Sequence, residues 1–272
     1  MYSNSPFNKY FFPVFGLWII FLGVIIFYLN SKITSVSEIW TIATISSLSY
    51  ALNLITILCS KFRKKRKIWG VAIYNLLFIP SCNEFSNLNI GITYLLLSMA
   101  LLLMLGIFKK SSQLKYFNIG MLASISSLLY FPTIIIVFLF LFMTIVNYKE
   151  KINISQYIAG VLVTGILALE ITLLTDSFSY LANWANQLTI PKFHFEYQIP
   201  ILLILLVILI FGWISQYSNK NISEDLYISS QHTILVFYLL FWILIYAFFM
   251  GDNYELLIFV SLPVSLITSR CI

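Results

Sequence analysis

Apolar residues run in long blocks along this chain, separated by short polar stretches. Phe11–Leu29, Trp40–Cys59, Ile90–Phe108, Tyr157–Leu174, Ile199–Tyr217 and His232–Met250 each approach the roughly 20 residues that carry a helix across about 30 Å of hydrocarbon. Ile68–Cys82, which contains Pro80, and Leu256–Thr268 are shorter. The blocks outrun barrel strands and lack strict alternation, so helices are predicted to satisfy the backbone.

The stretch between Lys115 and Lys149 carries no charge and is too long for one ordinary span. A single helix over about thirty of its residues would be ~45 Å long. Fitting that into about 30 Å needs a tilt near roughly 48°, beyond the usual range of about 0–40°. Pro132 also removes a backbone donor and disfavours helical geometry at Phe131. The pattern therefore predicts two short helices within 116–147, spanning or re-entrant, that turn near Tyr130–Pro132. Gly120/Ser124 and Ala123/Ser127 are small-xxx-small pairs, which places the first of the two inside the bundle. The second, TIIIVFLFLFMTIV, is bulky all round and is expected to face lipid. About ten membrane segments follow, in one all-α, polytopic helical membrane domain over 1–272.

Composition and charge sharpen this picture. Hydrophobic residues make up 60% of the 272, charged ones 10%, and mean hydropathy is +0.93; a soluble domain carries about 25% charge. The net charge of +6 belongs to the cytoplasmic side of a membrane protein rather than to nucleic-acid binding, since no basic stretch sits in a folded soluble domain. With two helices in 116–147, 14 basic residues fall on one side, and only Lys32 and Lys192 on the other. A single helix there would give 11 to 5, so the positive-inside rule favours two and puts both termini in the cytoplasm. The orientation rests mainly on KFRKKRK, Lys61–Lys67, with six basic residues in seven. Cys82 alone faces outward, so no intramolecular disulfide is expected with Cys59 or Cys271.

Seven of the ten acids then lie at or near the outer face: Glu38, Glu84, Glu170, Asp176, Glu196, Asp252 and Glu255. Glu170 is the one acid within an apolar block, and an intramembrane carboxylate is a functional candidate. His194 and Glu196 could ligate a metal if Asp176 or Asp252 supplied a third ligand, but a solvated loop explains the pair, and no metal site is expected. Asp252 and Glu255 share a helix start, where capping is the plainer account. His232 reads as an interface residue, and Asn53, Asn75 and Asn118 as buried amides bonded between helices. The six tryptophans and many tyrosines fall near block ends as belt residues, which calls for no cofactor. There is no P-loop, Gly-rich dinucleotide turn, nucleophile elbow or HExxH.

Phe117, Gly120, Ser127, Leu128, Tyr130, Phe131 and Pro132, together with YELLIFVSLPVSLIT around Pro263, resemble an uncharacterised family of multi-pass inner-membrane proteins from Bacteroidota. The resemblance implies a bacterial inner membrane and no particular activity. More distantly, the chain is similar to the glycosyltransferase C superfamily, which uses polyprenyl-phosphate sugars at the outer face. That likeness implies Glu38 as general base with Lys32 near a phosphate, although paired acids are missing from the first external loop; the outer-face acids add Glu170 as a second candidate catalytic carboxylate and Asp252 and Glu255 as candidate substrate-binding residues. Three readings follow: an accessory or scaffold protein in envelope assembly, a transferase on a lipid-linked sugar, and a transporter. The partners expected are the lipid bilayer and either a polyprenyl-phosphate lipid or another envelope protein.

Overall fold

A computed structural model describes residues 18, 22–23, 36–59, 64–81, 85, 87–106, 114–147, 151–186, 199–218, 226–249 and 255–271. Among them there is no strand. The helices are α1 (Val36–Cys59), α2 (Lys64–Ser81), α3 (Leu88–Met104), α4 (Lys115–Leu129), α5 (Ile134–Asn147), α6 (Lys151–Leu174), α7 (Phe178–Asn186), α8 (Ile199–Ser218), α9 (Leu226–Phe249) and α10 (Glu255–Cys271). The expected block Phe11–Leu29 lies outside the described residues except for Trp18, Leu22 and Gly23, which are helical. Two helical stretches, Trp40–Leu58 and Asn153–Leu174, are long and apolar enough to cross a membrane. Shorter apolar helices of 10–17 residues occur in α2, α3, α5, α8, α9 and α10.

The uncharged stretch is two helices. α4 stops at Leu129, Tyr130 turns extended (φ −140°, ψ 99°), and one 3-10 turn, Phe131–Thr133, leads into α5. The amide and the hydroxyl of Thr133 both donate to the Tyr130 carbonyl, at 3.1 and 2.8 Å, and so pin the turn. α4 is an inner helix, with Ile119, Gly120, Ala123, Ser126 and Ser127 buried. α5 differs from the expectation of a helix lipid-facing all round. Ile136, Leu139, Phe140 and Met143 are buried while Phe138, Phe142, Ile145 and Val146 are open. Phe140 stacks on Tyr238 of α9 at 6.0 Å, which gives α5 an inner face that its uniform bulk conceals.

The most extensive helix packing joins α4 to α6. It rests on two glycines. A Cβ at Gly120 would strike the Tyr157 carbonyl oxygen, and one at Gly160 would strike the Phe117 carbonyl oxygen. Helix backbones this close exchange dispersion and weak Cα–H···O contacts that larger residues would prevent. Tyr157 closes the group by donating its hydroxyl to the Val137 carbonyl of α5 at 2.7 Å. The opposite side of α6 is bare: Ile158, Leu162, Val163, Ile166, Leu167, Leu169, Ile171, Leu173 and Leu174 are all exposed.

Contacts between helices fix their sense. Ile45 lies against Gly91 and Asn53 against Tyr94, so α1 and α3 run the same way. Phe78 near the end of α2, Tyr94 in α3 and Phe259 near the start of α10 form one aromatic group, and Tyr130 at the end of α4 stacks on Phe259. At the other end, Gln231 near the start of α9 donates to the Leu105 carbonyl at the end of α3 (2.6 Å). His232 Nε2 sits 2.9 Å from the Gly212 carbonyl in the last turns of α8. One end of the bundle therefore collects the starts of α1, α3, α5 and α10 with the ends of α2, α4 and α6; the other collects the reverse.

Gly120→Ala and Gly160→Ala should each lower the melting temperature measurably, because the added methyl meets backbone that cannot swing aside; overpacking of this kind costs about 1–3 kcal/mol. Gly165, also in α6, has nothing within 4 Å of an added Cβ. Gly165→Ala should be neutral or stabilising by up to about 1 kcal/mol through helix propensity, read in the same thermal melts.

Candidate functional site

Sequence-based reading leaves Asp176–Tyr197 as a polar connection, but the structure puts helix α7 there, over the end of α4. Its position follows from the turn. Pro132 has no N–H, so the Leu128 carbonyl loses its helical partner, and the break at Tyr130 leaves the Ser127 carbonyl in the same state. α7 supplies both donors: the Tyr180 hydroxyl reaches the Leu128 carbonyl at 2.9 Å, and Trp184 Nε1 reaches the Ser127 carbonyl at 2.7 Å. Trp184 also meets the edge of Phe131 at 5.1 Å. Tyr180 and Trp184 stand four apart on one side of α7, the spacing that aims both at the same target.

α6 reaches α7 through a left-handed cap. The Ser177 amide donates back to the Thr172 carbonyl at 3.1 Å, and between them Asp176 holds φ 50°. This is the Schellman arrangement, in which the left-handed position usually takes glycine. Asp176, a candidate third metal ligand from sequence, is thus an exposed helix terminator.

The second polar feature is interior. On α1, Ser46, Ser49, Asn53 and Thr56 recur at intervals of three and four, one helical stripe, and all are fully buried. Asn53 Nδ2 donates to the Tyr94 hydroxyl of α3 at 2.6 Å and to the Tyr74 hydroxyl of α2 at 3.2 Å. Tyr94 in turn lies 3.2 Å from Ser261 Oγ of α10, which donates to the Ile258 carbonyl. Four helices thus meet at one asparagine. Around it the rings continue: Tyr74 stacks on Phe78 at 5.1 Å, and Phe259 on Trp242 at 4.1 Å. Asn53 fulfils the expectation of an interhelical amide; Asn75 lies beside Tyr50, and Asn118 is half-buried. The structure corrects two other readings. Trp242 is a core ring rather than a belt residue, and His232 is fully buried rather than interfacial, with its ring nitrogen against the Gly212 carbonyl.

The candidate catalytic and substrate-binding residues are not gathered into an enclosed site among the described residues. Glu170 is exposed in the last turn of α6, flanked by exposed Leu167, Ile171 and Leu174. Glu38 and Glu255 fall in the first turns of α1 and α10 by backbone, at the same end as Glu170. Their side chains, together with Lys32, Asp252, His194 and Glu196, lie outside the described residues. No three His, Cys, Asp or Glu residues gather to hold a metal among the described ones.

The fold and its polar seam define an all-helical bundle built on backbone-close packing. The chain belongs to a family of unknown function (DUF6427), which it matches over residues 7–272. No curated protein and no solved structure matches it.

Trp184→Phe should lower stability by about 1 kcal/mol, the worth of one partly buried hydrogen bond, and the half-exposed Tyr180→Phe by less. The double variant should expose residues 178–186 to proteolysis. Asp176→Gly should go the other way, raising the melting point by removing a left-handed strain of about 1 kcal/mol. An Asp176→Gly protein that melts lower would mean the carboxylate has a partner of its own.

Proposed function

We propose that this is a polytopic protein of a bacterial inner membrane, of the kind found in Bacteroidota, acting as an accessory or scaffold component in envelope assembly. Charge sorted by bundle end supports the membrane reading. The segments at the end shared by the starts of α1, α3 and α10 carry Glu38, Glu84, Asp252 and Glu255, with Glu170 and Asp176 on α6 and its cap. The opposite connections carry Lys61–Lys67, Lys109, Lys110, Lys149 and Lys220. By the positive-inside rule the second end is cytoplasmic. The rings and donors of α7 then sit at the outer surface, where an amphipathic tyrosine and tryptophan are at home.

The scaffold reading is carried by α6. Its outward side is apolar and open along its length, and it bears one carboxylate, Glu170, near its outer end. A helix that packs by glycine on one side and shows a lone acid among aliphatics on the other is suited to hold a second membrane helix with a basic or hydrogen-bonding residue at that depth. Transfer from a polyprenyl-phosphate sugar is the rival reading, and it requires Glu170 to act together with Glu38.

Cysteines introduced at Asp176 and at Lys110 should react with an impermeant maleimide from opposite sides of the membrane; labelling from one side would overturn the topology. Native mass spectrometry of protein released gently from its own membrane should then show a co-purifying polypeptide, reduced several-fold by Glu170→Leu. A bound polyprenyl-phosphate sugar lost on replacing Glu38 and Glu170 would establish the transferase instead.

A further inference from the structure

The amide of Asn53 has more hydrogen-bonding groups than the protein gives it partners. Its nitrogen serves Tyr94 and Tyr74, but Oδ1 is buried and meets no donor. Turning the amide over does not cure this, because the two tyrosine hydroxyls would then serve the oxygen and the nitrogen would be orphaned. One turn earlier on the same stripe, the Ser49 hydroxyl is also fully buried without a partner. Leaving one such group unmet costs about 1–3 kcal/mol, and here two occur one helical turn apart on a buried stripe. Serines elsewhere in this fold avoid the penalty by bonding to their own helix, as Ser46, Ser261 and Ser265 do with the carbonyls three residues back. Ser49 does not.

We propose that the seam between α1, α2, α3 and α10 is a binding site for internal water, held by Asn53 and Ser49 against the Tyr74 and Tyr94 hydroxyls. Helical spacing suits it. Side chains four apart on a helix have Cβ atoms about 5–6 Å apart, and one water bonded at about 2.8 Å to each of two oxygens bridges that gap. Buried water normally makes about three hydrogen bonds to otherwise unmet polar groups; Ser49 Oγ, the unmet atom of Asn53 and a tyrosine hydroxyl furnish three. The site is uncharged and rich in hydroxyls, and it joins four helices whose other contacts here are aromatic rings. The water makes the seam a hydrated joint between the four helices.

X-ray hydroxyl-radical labelling of the full chain in detergent tests this, because radicals made from a bound water oxidise the tyrosines beside it even where bulk solvent is shut out. Tyr74 and Tyr94 should be modified several-fold faster than Tyr157, which is as deeply buried but has its hydroxyl on the Val137 carbonyl. Asn53→Leu should bring their rates down to that of Tyr157. Equal rates for Tyr74, Tyr94 and Tyr157 in the wild-type protein, or rates that Asn53→Leu leaves unchanged, would overturn the site. Should Asn53→Leu fail to fold, Ser49→Ala takes its place, and the wild-type comparison decides on its own.

Discussion

Gly120 and Gly160 set how near α4 and α6 can pass, and much of the architecture depends on that distance. With the two backbones in contact, Tyr157 comes within reach of the α5 carbonyl, and the third helix of the group is tied in. The ends of α4 and α6 then lie at one level, and only from there can α7 reach the carbonyls of Ser127 and Leu128. A proline at position 132 would otherwise leave those oxygens bare. The break in the chain and the helix that covers it are one device, held in register by two missing side chains.

The same molecule uses two kinds of helix contact. Around α4 and α6 the backbones touch and little polar chemistry is involved. Around α1, α2, α3 and α10 rings fill the interior between the helices, with an asparagine and three hydroxyls at the centre. Close packing of the first kind draws its strength from dispersion and tolerates no added volume. The second kind gains direction from hydrogen bonds and keeps its stability only if every polar group finds a partner. The two regions meet where Tyr130, at the end of α4, stacks on Phe259 of α10.

The parts of this fold that were legible in the sequence are those where one residue decides the local geometry. Pro132 announced the break, and the Gly120/Ser124 spacing announced an inner helix. Of the Ser46–Ser49–Asn53–Thr56 stripe only Asn53 was singled out, because what the stripe faces depends on Tyr74, Tyr94 and Ser261, the last more than two hundred residues away along the chain. No local signal ties them together. Helix α7 was missed because FSYLANWAN is short and mixed in character, and what holds it are carbonyls orphaned fifty residues earlier. α5 was misjudged because uniform bulk hides which side meets a neighbour. Of the candidate site, Glu170 was found as an acid in an apolar helix, but its outward direction came only from knowing that Tyr157, Gly160 and Thr164 take the inward side.

The order of helices along the chain bears on how the molecule is made. α4, α5 and α6 are consecutive, so their group can assemble as soon as residues 115–174 have been synthesised, from contacts of short sequence range. The seam is different, since α2 packs chiefly on α10, some 180 residues later. Until α10 has been made, Tyr74, Phe78 and Tyr94 must wait without its cover, and a nascent chain paused before residue 255 would offer that aromatic surface to whatever escorts it. Helix α10 closes the seam, and its arrival marks the moment at which biosynthetic quality control could tell a covered seam from an uncovered one.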